Sequence, residues 1–298
     1  MRYRIQHETV YTYQSEVAHA HHLLHLVPRP APFQQCLEHC IEIAPADFRR
    51  RDEVDAFGNP VTRIEIGQPH RRLAVMTEML VDVHARPVPA ATDSDSWETC
   101  RAALAYAGRW PAASALAACR FRHESPHVRV KQLFVEYSCG AFTPGQTLLT
   151  SATALMHKLH EDIGYVPGTT SIATPATEVL ARRRGVCQDF AHVMIACLRS
   201  RGLAARYVSG YLRSTGATST GRPRLVGHDA SHAWVAVYAP PFGWVELDPT
   251  NNCFVGQDHV AIAWGRDFGD VSPLRGVILG GGEHELEVKV SVAPVTGS

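Results

Sequence analysis

The stretch ARRRGVCQDFAH, residues 181–192, is where the character of the chain turns. It ends a charged helical run, breaks it at Gly185 and opens a new apolar-periodic segment at Cys187. Val186, Phe190, Val193, Met194, Cys197 and Leu198 recur at spacings of three and four, which is one face of a helix, and Gly202 is placed to end it. Cys187 thus sits at a helix N-terminus. Unpaired backbone N–H groups and the positive end of the helix dipole favour a thiolate there, the nucleophilic form of cysteine. The same N–H groups can hold the oxyanion of a tetrahedral intermediate. Cys197 lies on the apolar stripe of the same helix and is expected to be an inert packed thiol.

Upstream, Thr174-Pro175 reads as the start of a shorter helix that Gly185 closes. GQTLLTSATALMHKLHEDIG places Leu148, Ala152, Leu155, Met156, Leu159 and Ile163 on one helical stripe, and SWETCRAALAYAG is helical as well. Downstream, ARYVSGYL, SHAWVAVY and GWVELDP alternate as strands, and HELEVKVSVAP ends the chain as another. Residues 1–88 read as β throughout: RYRIQHETVYTY, CLEHCIEIAP and LAVMTEMLVDVHA are strand-like, and Gly58-Asn59-Pro60 turns the chain into VTRIEI. The Pro/Ala/Ser-rich segment 85–95 reads as a linker. The expected class is α+β, with a small β-sandwich over 1–88 and a helix-then-antiparallel-sheet unit over 96–298.

A nucleophilic cysteine needs a base, and the base needs an orienting group. SHAWVAVY and GWVELDP are joined by the five residues 239–243. Pairing Tyr238 with Trp244 makes paired positions sum to 482, so Asp248 becomes the diagonal neighbour of His232 on the same sheet face. Ala233, Val235, Val237, Val245 and Leu247 then face the opposite side as core. One imidazole nitrogen would meet the carboxylate while the other faces Cys187. A slip of one residue would separate the pair.

GVCQDFAHVMIACLRSRGLAARYVSGYL, GHDASHAWVAVYAPPFGWVELDPTNN and AWGRDFGDVSPLRGVILGGGEHELEVKVSV closely resemble the bacterial transglutaminase-like proteins, and HLLHLVPRPAPFQQC with DAFGNPVT resembles that family's leading domain. The resemblance covers nearly the whole chain. It implies a papain-like α+β transglutaminase core preceded by a β domain, with Cys187 as nucleophile, His232 as base and Asp248 as orienter. It further implies action on amide or peptide bonds through a thioester, with water or an amine as acceptor. The acidic loops of calcium-dependent animal members have no counterpart in this sequence. A non-catalytic binding scaffold is the competing reading, although such a scaffold has no need of all three residues.

Other residues carry weaker signals. Tyr165 in IGYVPGTTSIATP is either an oxyanion donor or substrate wall, or a side chain packed on the helix. Gln188 and Asp189 offer backbone N–H groups at the helix start, and Asp189 is also suited to cap it. Trp234 and Asn251 flank the histidine and aspartate. The arginines at 182–184 complement a helix C-terminus. The polar stretch 213–229 reads as a loop bordering the cleft.

The 298 residues are 45% hydrophobic and 19% charged, as in an ordinary globular protein. Lys+Arg and Asp+Glu both number 29, so no net field draws nucleic acid or an anionic membrane. No apolar run approaches the ~18 residues that span a bilayer, and MRYRIQHETVYTYQ lacks the apolar core of a signal peptide. A cytoplasmic setting with reduced cysteines is expected, as is a protein or peptide substrate and no cofactor. Among the 17 histidines, alternation would put His19, His21 and His25 on one strand face; a solvated face, not a metal site, is the expectation.

Overall fold

A computed structural model of the chain describes residues 1–105, 112–213 and 231–295. The polar stretch expected to border the cleft lies, except for Arg213, outside the described residues.

Strand Arg2–Leu24 organises the first region, burying Tyr3, Ile5, His7 and Thr9 by simple alternation. Both of its edges are occupied along most of its length. On one side His70–Val83 pairs with its first half and Pro60–Ile66 with its last residues. On the other, His284–Pro294 runs along Tyr3 to Tyr13 and Leu274–Gly280 along Val17 to Leu24. Gln34–Ala44 and Arg49–Val54 add an outer layer of pairing. The sequence suggests two packed sheets, but the hydrogen bonds join these seven strands into one. That sheet curls so that Leu73 and Val75 share a core with Val17, Leu24, Ile64 and Ile66.

Residues 274–294, within the span 96–298, hydrogen-bond to the first strand and extend the first sheet. An alternating pattern tells which side chains face inward, but not which of several free edges a strand will join. The histidine run is corrected at His25. His19 and His21 share a partly exposed face, their rings in contact, but His25 is buried at 1% exposure. The strand ends at Leu24, so the alternation does not carry to His25, which contacts Asp55 and the Ser272 carbonyl oxygen.

The second sheet is antiparallel, in the order Cys253–Phe254, Gly243–Asp248, His232–Ala239, Ala205–Leu212, His259–Gly265. Helix Cys187–Ser200 lies on it, buried nearly all round, as a helix at the centre of a domain must be. Leu148, Ala152, Leu155, Met156, Leu159 and Ile163, the stripe read from sequence, join Ala233, Val235 and Val237 in the main core. Tyr3, Ile5, Met79 and Val81 enter the same core, so the curled sheet packs directly on the second unit. Two buried amides reinforce the contact. Gln34 exchanges hydrogen bonds with the backbone of Ala261, at 2.6 and 2.9 Å, and Asn59 does so with Trp264, at 2.9 Å each. They satisfy backbone groups on strand His259–Gly265, whose register shifts between Ala261 and Ala263.

Candidate active site

Strand Gly164–Tyr165 lies parallel to Arg184–Gly185 and leads the chain into the cysteine helix. The preceding helix, Ala176–Arg182, ends on Arg183 in the left-handed region (φ 54°), the role sequence reading assigns to Gly185. Gly185 serves space instead. A Cβ there would lie 2.8 Å from the Asp189 carboxylate. That carboxylate folds back to accept from the Val186 N–H at 2.8 Å and from the Thr170 hydroxyl at 2.6 Å. Asp189 therefore caps the helix from its third position. The N–H groups of Cys187 and Gln188 have no partner within the helix. Removing the cap with Asp189→Ala should cost about 1 kcal/mol and lower the melting temperature by roughly 2–4 °C, measured by circular dichroism.

Cys187 is half-buried, with its sulfur 4.0 Å from the Ser231 carbonyl oxygen at the entrance to the His232 strand. The hairpin register is the one the loop predicts: Trp244 pairs with Tyr238 and Leu247 with Val235. His232 and Asp248 meet across it. Nε2 of His232 donates to Asp248 Oδ2 at 2.8 Å, with both side chains fully enclosed. Among the described residues, Nδ1 has no partner at hydrogen-bond distance. Burial disfavours charge on His232, yet Asp248 and the adjacent Cys187 outweigh it and raise the pKa to about 10.

Asp248 is held on every side. Oδ1 accepts from the backbone N–H of Thr250 at 3.0 Å and of Asn251 at 3.2 Å. Oδ2 accepts from His232, from the Asn251 amide at 2.7 Å and from His259 Nε2 at 3.1 Å. Burial opposes its ionisation, but the two histidines and the hydrogen bonds hold its pKa far below the ordinary carboxylate range. Nδ1 of His259 receives the Gly256 N–H at 3.5 Å, a long contact that still leaves the proton on Nε2. The three side chains His232, Asp248 and His259 come close enough to ligate an ion. Their nitrogens are engaged as donors to one oxygen, which makes them a hydrogen-bonded cluster and a poor ligand set.

Of the weaker candidates, Asn251 touches Asp248 directly. Trp234 is buried with its ring 6.1 Å from that of His232 and 5.3 Å from that of His259, and its N–H donates to Glu246 at 2.8 Å. Tyr165 is part-buried against the main core, paired with Gly185 two residues before Cys187. Gln188 is half-buried in the first helical turn. Two residues escaped sequence reading. His259 enters from the far edge of the sheet. Tyr207 is buried close enough to Cys187 that desolvation, reinforced by the charges of Cys187, Asp189 and Asp267, keeps its phenol neutral. Cys197 is fully buried and its thiol pKa is pushed up by that burial.

A cysteine opening a buried helix against the His–Asp edge of an antiparallel sheet, with a curled β region packed alongside, is the architecture of the transglutaminase-like fold. Residues 140–249 match the transglutaminase-like superfamily, and residues 3–82 match the bacterial transglutaminase-like N-terminal region. The chain belongs to this bacterial transglutaminase-like family. An uncharacterized protein of Mycobacterium tuberculosis is 36% identical over 304 residues, covering 99% of this chain and 94% of that one. A protein-glutamine gamma-glutamyltransferase of Pseudomonas aeruginosa is 32% identical over 104 residues, which is 33% of this chain and 15% of that protein. Among solved structures, one described as a "Putative Cysteine Protease from Cytophaga hutchinsonii" superposes with a TM-score of 0.76 at 18% identity, over 100% of this chain and 92% of that one. At that identity the likeness speaks for the fold alone.

Proposed function

We propose that this protein is a thiol enzyme that takes an acyl group from an amide or peptide bond, with Cys187 as nucleophile, His232 as base and Asp248 as orienter. The observation that carries the reading is the His232–Asp248 bond. Because Nε2 is committed to the carboxylate, Nδ1 is the nitrogen left to receive a proton from Cys187. With His232 held as the imidazolium, the proton from Cys187 already rests on Nδ1, and Sγ attacks the carbonyl carbon as the thiolate. The oxyanion falls to the N–H groups at the helix start. On collapse the C–N bond breaks and the imidazolium returns the proton to the departing nitrogen, leaving a thioester on Cys187. Water then makes the enzyme a hydrolase, and a primary amine makes it a transferase. In either case the acceptor's proton passes to His232 and on to the released sulfur. The name of the Pseudomonas relative favours a glutamine carboxamide of a protein as acyl donor. Incubating a peptide library with and without a primary amine, read by mass spectrometry, separates cleavage, deamidation and amine incorporation. A library unchanged under both conditions would sink the proposal.

The thiolate can be tested without knowing the substrate. At pH 6 iodoacetamide should modify Cys187 at least about tenfold faster than Cys40 and Cys139, which are exposed. His232→Ala should abolish the selectivity. Equal rates in the unaltered protein would remove the argument for an activated thiol.

A further inference from the structure

The side of the second sheet that carries Trp234 also borders a cleft of about 680 Å³, lined by residues of both units and by none of Cys187, His232 or Asp248. Its walls are apolar and aromatic, with Phe33, Val88, Phe242, Trp244 and Trp264 among them. Arg86, Arg206 and Glu246 also line it, with side chains only 8%, 6% and 5% exposed. Two guanidiniums thus face one carboxylate, an excess of one buried positive charge. Glu246 is already committed. Its Oε2 accepts from Arg86 Nη1 at 2.6 Å and from the Trp234 indole at 2.8 Å, and Arg206 Nη2 stands 3.9 Å from Oε1.

The donors that remain define a geometry. Among the described residues, Nε and Nη2 of Arg86 and Nε of Arg206 are buried without hydrogen-bond partners. Nε and Nη2 form one edge of a guanidinium, the edge that pairs side-on with both oxygens of a carboxylate. Phe33 covers one flat face of Arg86 at 3.4 Å, and Trp264 and Trp244 lie against Arg206 at 3.5 and 4.3 Å. Only an edge-on anion can use these donors, and the surrounding walls suit an apolar or aromatic body.

We propose that this cleft binds a small carboxylate with an apolar, aromatic-sized body, its carboxylate seated on the free edge of Arg86 beside Arg206. The volume suits a single small molecule. The site is separate from the proposed catalytic residues, although Glu246 and Trp234 connect its floor to His232 and His259 by direct contact.

The test is titration of the full chain with 4-phenylbutyrate, followed by calorimetry and by tryptophan fluorescence, since Trp244 and Trp264 line the cleft. Saturable binding is expected, with 4-phenylbutyramide and inorganic phosphate each at least about tenfold weaker. Arg86→Gln should lower affinity by a similar factor. Val88→Trp adds bulk to the cleft wall and removes no polar side chain; it should also abolish binding while Cys187 alkylation stays unchanged. That variant keeps the test decisive where Arg86→Gln fails to fold. Equal binding of the amide or of phosphate, undiminished binding to Val88→Trp, or no saturable binding of 4-phenylbutyrate overturns the proposal. The readout is binding, so failure here is distinct from failure of the thiol-enzyme reading.

Discussion

Asp248→Asn is expected to lower the acylation rate about 10³- to 10⁴-fold in a protein that still folds. The reason is the donor count around the side chain. Oδ1 accepts two backbone N–H groups, from Thr250 and Asn251, so the amide oxygen of an asparagine must occupy that position. Its NH2 then points where Oδ2 received His232, Asn251 and His259. To meet a donor there, His232 must turn Nε2 into an acceptor and move its proton to Nδ1, and an Nδ1–H cannot take the Cys187 proton. Stability falls as well, since the Asn251 and His259 donors lose their acceptor at about 1–3 kcal/mol apiece.

The pH dependence of folding separates the two effects. The depressed pKa of Asp248 contributes stability above the ordinary carboxylate range near 3.9, lost as pH falls below it. The raised pKa of His232 contributes stability fully present below its unfolded value of 6.5 and lost as pH rises towards about 10. Melting temperature against pH should therefore slope on both sides in the unaltered protein and flatten in Asp248→Asn. A variant within tenfold of normal in single-turnover acylation would end the orienter assignment.

Gly210→Ala carries a large expected loss of stability from packing alone. Gly210 sits in an interior strand of the second sheet, opposite His232, with His259–Gly265 on its other side. A Cβ there would lie 2.1 Å from the Val260 carbonyl oxygen and 2.4 Å from the Trp234 ring. The backbone is paired on both edges and cannot retreat, so the strain passes to the Trp234 ring. That ring packs against His232 and His259, and shifting it disturbs both contacts to Asp248. We expect a cost of about 3 kcal/mol and a melting temperature lower by roughly 6–12 °C, with slower Cys187 alkylation. A variant melting within about 2 °C of the original would show that the sheet absorbs the extra carbon, and the packing argument would fail.

The same contrast runs through the whole chain. Periodicity alone located the cysteine helix, because a helix needs its apolar residues at three- and four-residue spacing whatever it packs against. Register alone joined His232 to Asp248, because a short loop fixes the pairing of the strands it connects. Both are local constraints, and local constraints are written in neighbouring residues. His259 meets Asp248 only because its strand joins the opposite edge of the sheet, beside Ala205–Leu212. Residues 284–294 alternate as clearly as any strand, yet they return to pair with the first strand of the chain. The cleft on Arg86 and Arg206 likewise exists only where the linker meets the second sheet. In each case a strand edge or a buried charge has several chemically equivalent partners along the sequence, and only the packing of the whole chain chooses among them.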